Sequence, residues 1–301
     1  MTDPSFARPG PMPFRLLLDE AIRQARRHFR AIYPSVAIPI ALLAVSISVA
    51  QALWVSNFTR DIGSMPSPWS PGLILLTLVY VAVLVVAYNA MQVAAVDALS
   101  GRPVDMKRAW RFTLQGRVIG TLFLWYAATI AAVFCCCFPA LYVGPLLALV
   151  PPVMVDEGRF GADALSRSAE LTRYSPSGKF LDSSLVRIFL LLFVGILLAY
   201  AVGMVVSLPF QIPMWIDMFR NAAKGEEIVQ RMPTWMWLQA PAQFLNALAT
   251  TAVHLYVCFG VAMLFFDARG RKEGSDLRSE IDSMFPAPST PPPAPPGDRP
   301  F

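Results

Sequence analysis

Residues 72–96 read GLILLTLVYVAVLVVAYNAMQVAAV, with no charged side chain until Asp97. A helix rises about 1.5 Å per residue, so this run is long enough to cross roughly 30 Å of hydrocarbon. Five other segments have the same character: 36–55, 118–134, 140–155, 185–208 and 238–266. The segments 118–134 and 140–155 are short and are joined by a tight Cys-Cys-Cys-Phe-Pro stretch, so together they also read as one broken helical hairpin. Either way the chain emerges on the same side. Of 301 residues, 55% are hydrophobic and 15% charged, against about 25% charged in ordinary soluble domains. The expected fold is all-α: a polytopic membrane helical bundle of six transmembrane helices in three hairpins, with amphipathic interfacial helices on the cytoplasmic side.

Lysine and arginine set the orientation. Six precede the first span, one follows it, and the later connections carry five, none, five and three, with five in the tail. Twenty-one of the 25 therefore share one side, and the positive-inside rule places both termini in the cytoplasm. Trp54, Trp69, Trp215, Trp235 and Trp237 fall at the opposite edge, as in an interfacial aromatic belt. The net charge of +5 is then a matter of loops. No basic stripe interleaved with aromatics marks a nucleic-acid surface. The first thirty-odd residues hold six arginines and no compact apolar core before a cleavage site, so the N-terminus is expected to be kept. Cys135, Cys136, Cys137 and Cys258 imply no disulfide framework. The triple cysteine reads as small apolar packing, not a metal site.

One phrase recurs after the second, fourth and sixth spans. It reads Asp97, Gly101-Arg102, Asp105; then Asp156, Gly158-Arg159, Asp163; then Asp267, Gly270-Arg271, Asp276. A glycine past a helix end can take the left-handed conformation that closes it. The second aspartate is placed to cap a following short helix. The first sits at a helix C-terminus, where the dipole disfavours negative charge by roughly 0.3–1 kcal/mol, so an arginine is expected to face it. Two roles remain open for these nine residues: an ionic clasp tying the hairpins together at the cytoplasmic face, or a site for a phosphate or anionic lipid headgroup. Segment 14–33 has apolar residues at helical spacing opposite Arg15, Arg23, Arg26, Arg27 and Arg30. It is expected to lie in the membrane surface or on the protein's own cytoplasmic face. A similar interfacial helix is expected over 276–285, within a membrane domain spanning 14–285. Residues 1–13 and the proline-rich 286–301 are expected to be disordered.

Three stretches carry a family resemblance. They are Pro151-Pro-Val-Met-Val-Asp156-Glu-Gly, Ala164-Leu-Ser-Arg167-Ser-Ala-Glu170-Leu-Thr-Arg173 and Phe266-Asp-Ala-Arg269-Gly-Arg-Lys272-Glu273-Gly-Ser-Asp276-Leu277. The chain resembles bacterial polytopic proteins grouped with the membrane domain of glycerophosphoryl diester phosphodiesterases, over most of residues 14–285. The resemblance implies a location in the bacterial cytoplasmic membrane. In fused members it implies a separate hydrolase domain with catalytic histidines, carboxylates and a divalent metal. Here the only histidines are His28 and His254, which cannot build that acid–base and metal cluster. The activity is not carried over, and no cofactor is expected.

His254 lies deep in the sixth span, and an ionisable group there is a functional candidate by default. One interhelical hydrogen bond from Asn89, Gln92, Gln243 or Asn246 would make it structural instead. Pro139, Gly144, Pro145, Pro151 and Pro152 make the fourth span irregular, as in helices broken at transport sites or merely fitted to the bilayer. The expected role is a non-enzymatic scaffold, enzyme partner or membrane-homeostasis module, whose partners are the lipid bilayer, anionic lipids or a membrane protein. The rival role is a transporter or lipid-handling protein. A cavity lined by His254 and Asn89 would favour the rival, and a tightly packed bundle the scaffold.

Overall fold

In hydrocarbon a backbone must satisfy its own N–H and C=O groups, and the helix does so within a single segment. The computed structural model describes residues 13–60, 71–135, 137–175, 183–220 and 225–284, with the backbone alone for 57–60, 137–138, 225–236 and 275–284. Among the described residues there are nine helices and no strand. They are α1 Phe14–Arg60, α2 Pro71–Leu99, α3 Met106–Thr113, α4 Gly116–Cys135, α5 Cys137–Leu147, α6 Val150–Asp156, α7 Ala162–Arg173, α8 Ser184–Arg220 and α9 Gly225–Met284. Six stretches are long and apolar enough to cross a membrane: Phe14–Ser56, Pro71–Leu99, Gly116–Cys135, Pro139–Asp156, Ser184–Arg220 and Trp237–Gly274. Large apolar side chains such as Phe123, Phe134 and Ile196 cover the outside of the bundle, the arrangement that suits a lipid solvent. The expected disorder of 1–13 and 286–301 lies outside the described residues, apart from Pro13.

Three helices run further than the sequence suggests. No break separates a segment 14–33 from a span 36–55: α1 continues through Pro34 and Pro39. Leu17, Ala21, Ala25, Ile32, Val36 and Ile40 form one buried stripe along it, and α1 packs most extensively on α9, not on its neighbour α2. Tertiary packing thus outweighs the hydrogen bonds that the prolines remove. In α8 the helix passes Pro209 and Pro213 and ends at Arg220, beyond the 185–208 read as the span. In α9 the helix runs through Gly270 and Asp276 to Met284, so no separate interfacial helix begins at 276.

The fourth span is broken. Pro145 lies inside α5, a turn at Ala148 and Leu149 follows, and α6 restarts with Pro151 and Pro152 near its N-terminus. A proline is tolerated in a first turn, where its missing N–H would be unsatisfied anyway. The Leu146 carbonyl at the break accepts from the hydroxyls of Ser168, 2.8 Å, and Thr172, 3.4 Å, on α7. Elsewhere close approach depends on absent side chains. A Cβ on Gly195 would meet Val257 at 2.5 Å and one on Gly260 would meet Leu191 at 2.8 Å, so α8 and α9 pack through small residues.

Gly101 closes α2. Its φ is +72°, the Gly101 N–H donates to Ala98 at 3.3 Å and the Arg102 N–H to Asp97 at 2.9 Å, the two bonds of a Schellman motif. Gly270 occupies the same place in the third phrase but is helical. We expect opposite signs from one substitution. Gly101→Ala should lower detergent stability by roughly 1–2 kcal/mol, the left-handed penalty. Gly270→Ala, whose Cβ meets nothing within 4 Å, should raise it by roughly 0.5–1 kcal/mol. Detergent melting curves of the two variants check this, and a common sign would refute it.

Candidate functional site

One end of the bundle collects its charges. Asp97, two residues before the end of α2, has a side chain 1% exposed, with Arg102 at 3.4 Å and Arg108 at 3.5 Å. The Schellman turn brings Arg102 back over the helix end, where it also reaches Asp156 at 2.9 Å. Asp156 ends α6, its side chain is 6% exposed, and Arg269 of α9 meets its other oxygen at 2.5 Å. Asp267 lies between Arg271, 3.0 Å away on the same helix, and Arg187 of α8 at 3.3 Å. A second tier flanks these pairs. Arg167 of α7 reaches Glu157 at 3.0 Å, Glu170 at 3.3 Å and Glu273 of α9 at 3.3 Å, and Lys272 meets Glu170. A buried carboxylate without a counter-charge would be strongly unfavourable; each of these three has two guanidinium groups.

The nine residues singled out from the repeat do not act alike. Asp97, Arg102, Asp156, Asp267 and Arg271 all take part in these ion pairs. Arg159 faces Glu157 at 3.3 Å. Asp105 caps α3, accepting from the Lys107 N–H at 2.9 Å. Asp163 does not cap α7: it is exposed in the first turn, and the N-cap is Gly161 at φ 63° without a side-chain bond. Asp276 lies within α9, so it has no helix start to cap. The third phrase stays helical: it has none of the positive-φ glycines at which the first two turn, and Asp267–Arg271 and Arg269–Glu273 are helix-supporting pairs four residues apart. Sequence reading missed Arg108, Arg187 and Arg269, the last of which joins the third phrase to Asp156 of the second. Their partners lie on other segments or across a turn, so spacing gave no signal.

Deeper in the bundle is a cavity of about 280 Å³. Asn89 and Gln92 of α2 and His254 of α9 share its lining with Trp125 and Tyr126 of α4. Gly144, Ala148 and Pro151, from the broken fourth span, form another wall. Trp125, Tyr126, Thr129 and His254 are partly exposed, so the cavity is not sealed. The His254 ring stacks on Tyr88, with centroids 4.5 Å apart and planes within 11°. Its Nδ1 is 2.9 Å from the Thr250 carbonyl one turn back, so its partner is its own helix and not the interhelical amide expected. Asn89 donates from Nδ2 to the Val85 carbonyl at 2.8 Å, also along its own helix. A second cavity, about 610 Å³, lies between α8 and α9 and is lined by Tyr200, Gln211, Gln243 and Asn246 among others.

Compared with known proteins, the chain matches no protein-family model, no curated protein and no solved structure.

The ionic end should be readable by single substitutions. Asp156→Asn and Asp267→Asn each remove a buried carboxylate that faces two guanidinium groups, and each should destabilise the protein in detergent by about 3 kcal/mol. Asp163→Asn, at an exposed position, should stay within about 0.5 kcal/mol of the parent. Chemical or thermal unfolding checks this; three equal effects would refute a structural role for the pairs.

Proposed function

We propose that this protein is a non-enzymatic, lipid-handling component of a bacterial cytoplasmic membrane, with both termini in the cytoplasm, that receives part of a lipid in its central cavity. The supporting observation is the cavity itself, lined by Asn89 and His254 and walled on one side by the broken fourth span. At about 280 Å³ it lies near the lower end of small-molecule pockets, roughly 300–1,000 Å³. That volume suits the polar end and first carbons of a lipid, not a whole lipid. Three hairpins, with the short helices α3 and α7 as the interfacial ones, belong to this proposal as the way the spans sit in the bilayer. So does kinship with the membrane domains of glycerophosphoryl diester phosphodiesterases, whose motif residues Asp156, Arg167 and Arg269 meet at the ionic end.

A structural role for the ionic end, rather than an anionic-headgroup site, is supported by the engagement of Arg102 and Arg271 with carboxylates. The same engagement favours the second reading, a scaffold or partner of a membrane enzyme, because those residues join helices to one another.

Native mass spectrometry of protein extracted gently from its own membrane separates the two. We expect a lipid retained in fixed ratio and lost in Gly144→Phe, a position where a Cβ meets nothing within 4 Å. A reproducible co-purifying protein with no retained lipid would overturn lipid handling in favour of the scaffold.

A further inference from the structure

The cavity offers acceptors without charge. Asn89 is 4% exposed. Its amide orientation is fixed: the group bonded to the Val85 carbonyl must be the donor Nδ2, since a carbonyl only accepts. Oδ1 is therefore the atom left buried without a partner. Gln92, three residues on and so on the same helix face, has a buried Oε1 in the same condition. His254, partly exposed in the lining, adds an acceptor that is not buried. With Nδ1 donating to the Thr250 carbonyl, the neutral imidazole carries its lone pair on Nε2. No Asp, Glu, Lys or Arg lines the cavity.

Buried acceptors without donors are unfavourable, and more so where the local dielectric is low. A ligand that brings donors removes that penalty. An anionic headgroup would find no cation in the lining to receive it. The walls beyond the polar cluster are aromatic and aliphatic: Tyr88, Trp125, Tyr126, Leu192, Val257 and Val261. They suit an acyl chain.

Building on the lipid-handling proposal, we infer that the cavity selects an uncharged lipid whose polar end donates hydrogen bonds, a hydroxyl lipid of the acylglycerol kind. Its hydroxyls bond to Asn89 Oδ1, Gln92 Oε1 and His254 Nε2, and its chain lies along α4. Selectivity comes from the hydroxyl protons, because the donor sides of the Asn89 amide and the His254 imidazole are already occupied by their own helices.

The test uses the full chain in lipid nanodiscs and three photoreactive probes with identical chains: a monoacylglycerol, its di-O-methyl ether and the corresponding lysophosphatidic acid. We expect the monoacylglycerol to label the 125–129 stretch of α4 roughly tenfold more than either comparator, the effect of one to two lost hydrogen bonds. Asn89→Leu should lower the ratio of monoacylglycerol to ether labelling several-fold. The probe comparison on the parent protein holds even if the variant folds poorly. Equal labelling by the ether would overturn donor recognition and leave lipid handling standing. Strongest labelling by the lysophosphatidic acid would overturn the uncharged ligand. No labelling of α4 by any probe would overturn this inference and the lipid-handling proposal together.

Discussion

Asp156 is held between Arg102 and Arg269, guanidinium groups from distant parts of the chain. Its side chain is nearly out of solvent, so its charge is affordable only while both partners stay in place. Arg102 also faces Asp97, and Arg269 also reaches Glu273 at 2.7 Å. The ends of α2 and α6 and the last third of α9 are thereby fixed to one another. Hydrophobic packing alone would leave these helices freer to slide, because lipid tails compete equally well for apolar faces.

The ionic end and the cavity share a short rigid piece. The helix α6 has seven residues, Val150–Asp156, and so is about 10 Å long. Pro151 at one end lines the cavity; Asp156 at the other is locked by two arginines. The break before α6 is steadied separately, by the Ser168 and Thr172 hydroxyls on the Leu146 carbonyl. A cavity wall that would otherwise be a loose, proline-rich segment is pinned from both sides. A pocket for a lipid's polar end needs that kind of support, since its selectivity depends on where a few acceptors stand.

Much of the architecture was legible because long apolar runs have one solution in hydrocarbon. Six such runs in the sequence correspond to six long apolar stretches, the fourth of them broken. The Asp, Gly-Arg, Asp phrase was legible too, and at Gly101 it is a helix-closing turn. What local pattern could not show is where an element ends when packing overrides a breaker. Pro34, Pro39, Pro209 and Pro213 all lie inside helices, and Gly270 continues one. Cross-chain partners were equally hidden. Arg187 counted only as a loop charge and Arg269 only as part of a motif, yet each meets an aspartate far away in sequence. The partner of His254 was sought on another helix, whereas the nearest acceptor was the carbonyl one turn back. That local bond puts the proton of the neutral ring on Nδ1.

A double-mutant cycle on Asp156 and Arg269 bears most directly on the pinning of the bundle. Asp156→Leu, Arg269→Met and the pair together would be compared by reversible unfolding in detergent. If the two residues hold α6 to α9, the single losses exceed what the pair loses, with a coupling of at least about 1 kcal/mol. Additive effects, with coupling near zero, would mean that the two groups stand close without holding anything, and the pinned cavity wall would have to be abandoned.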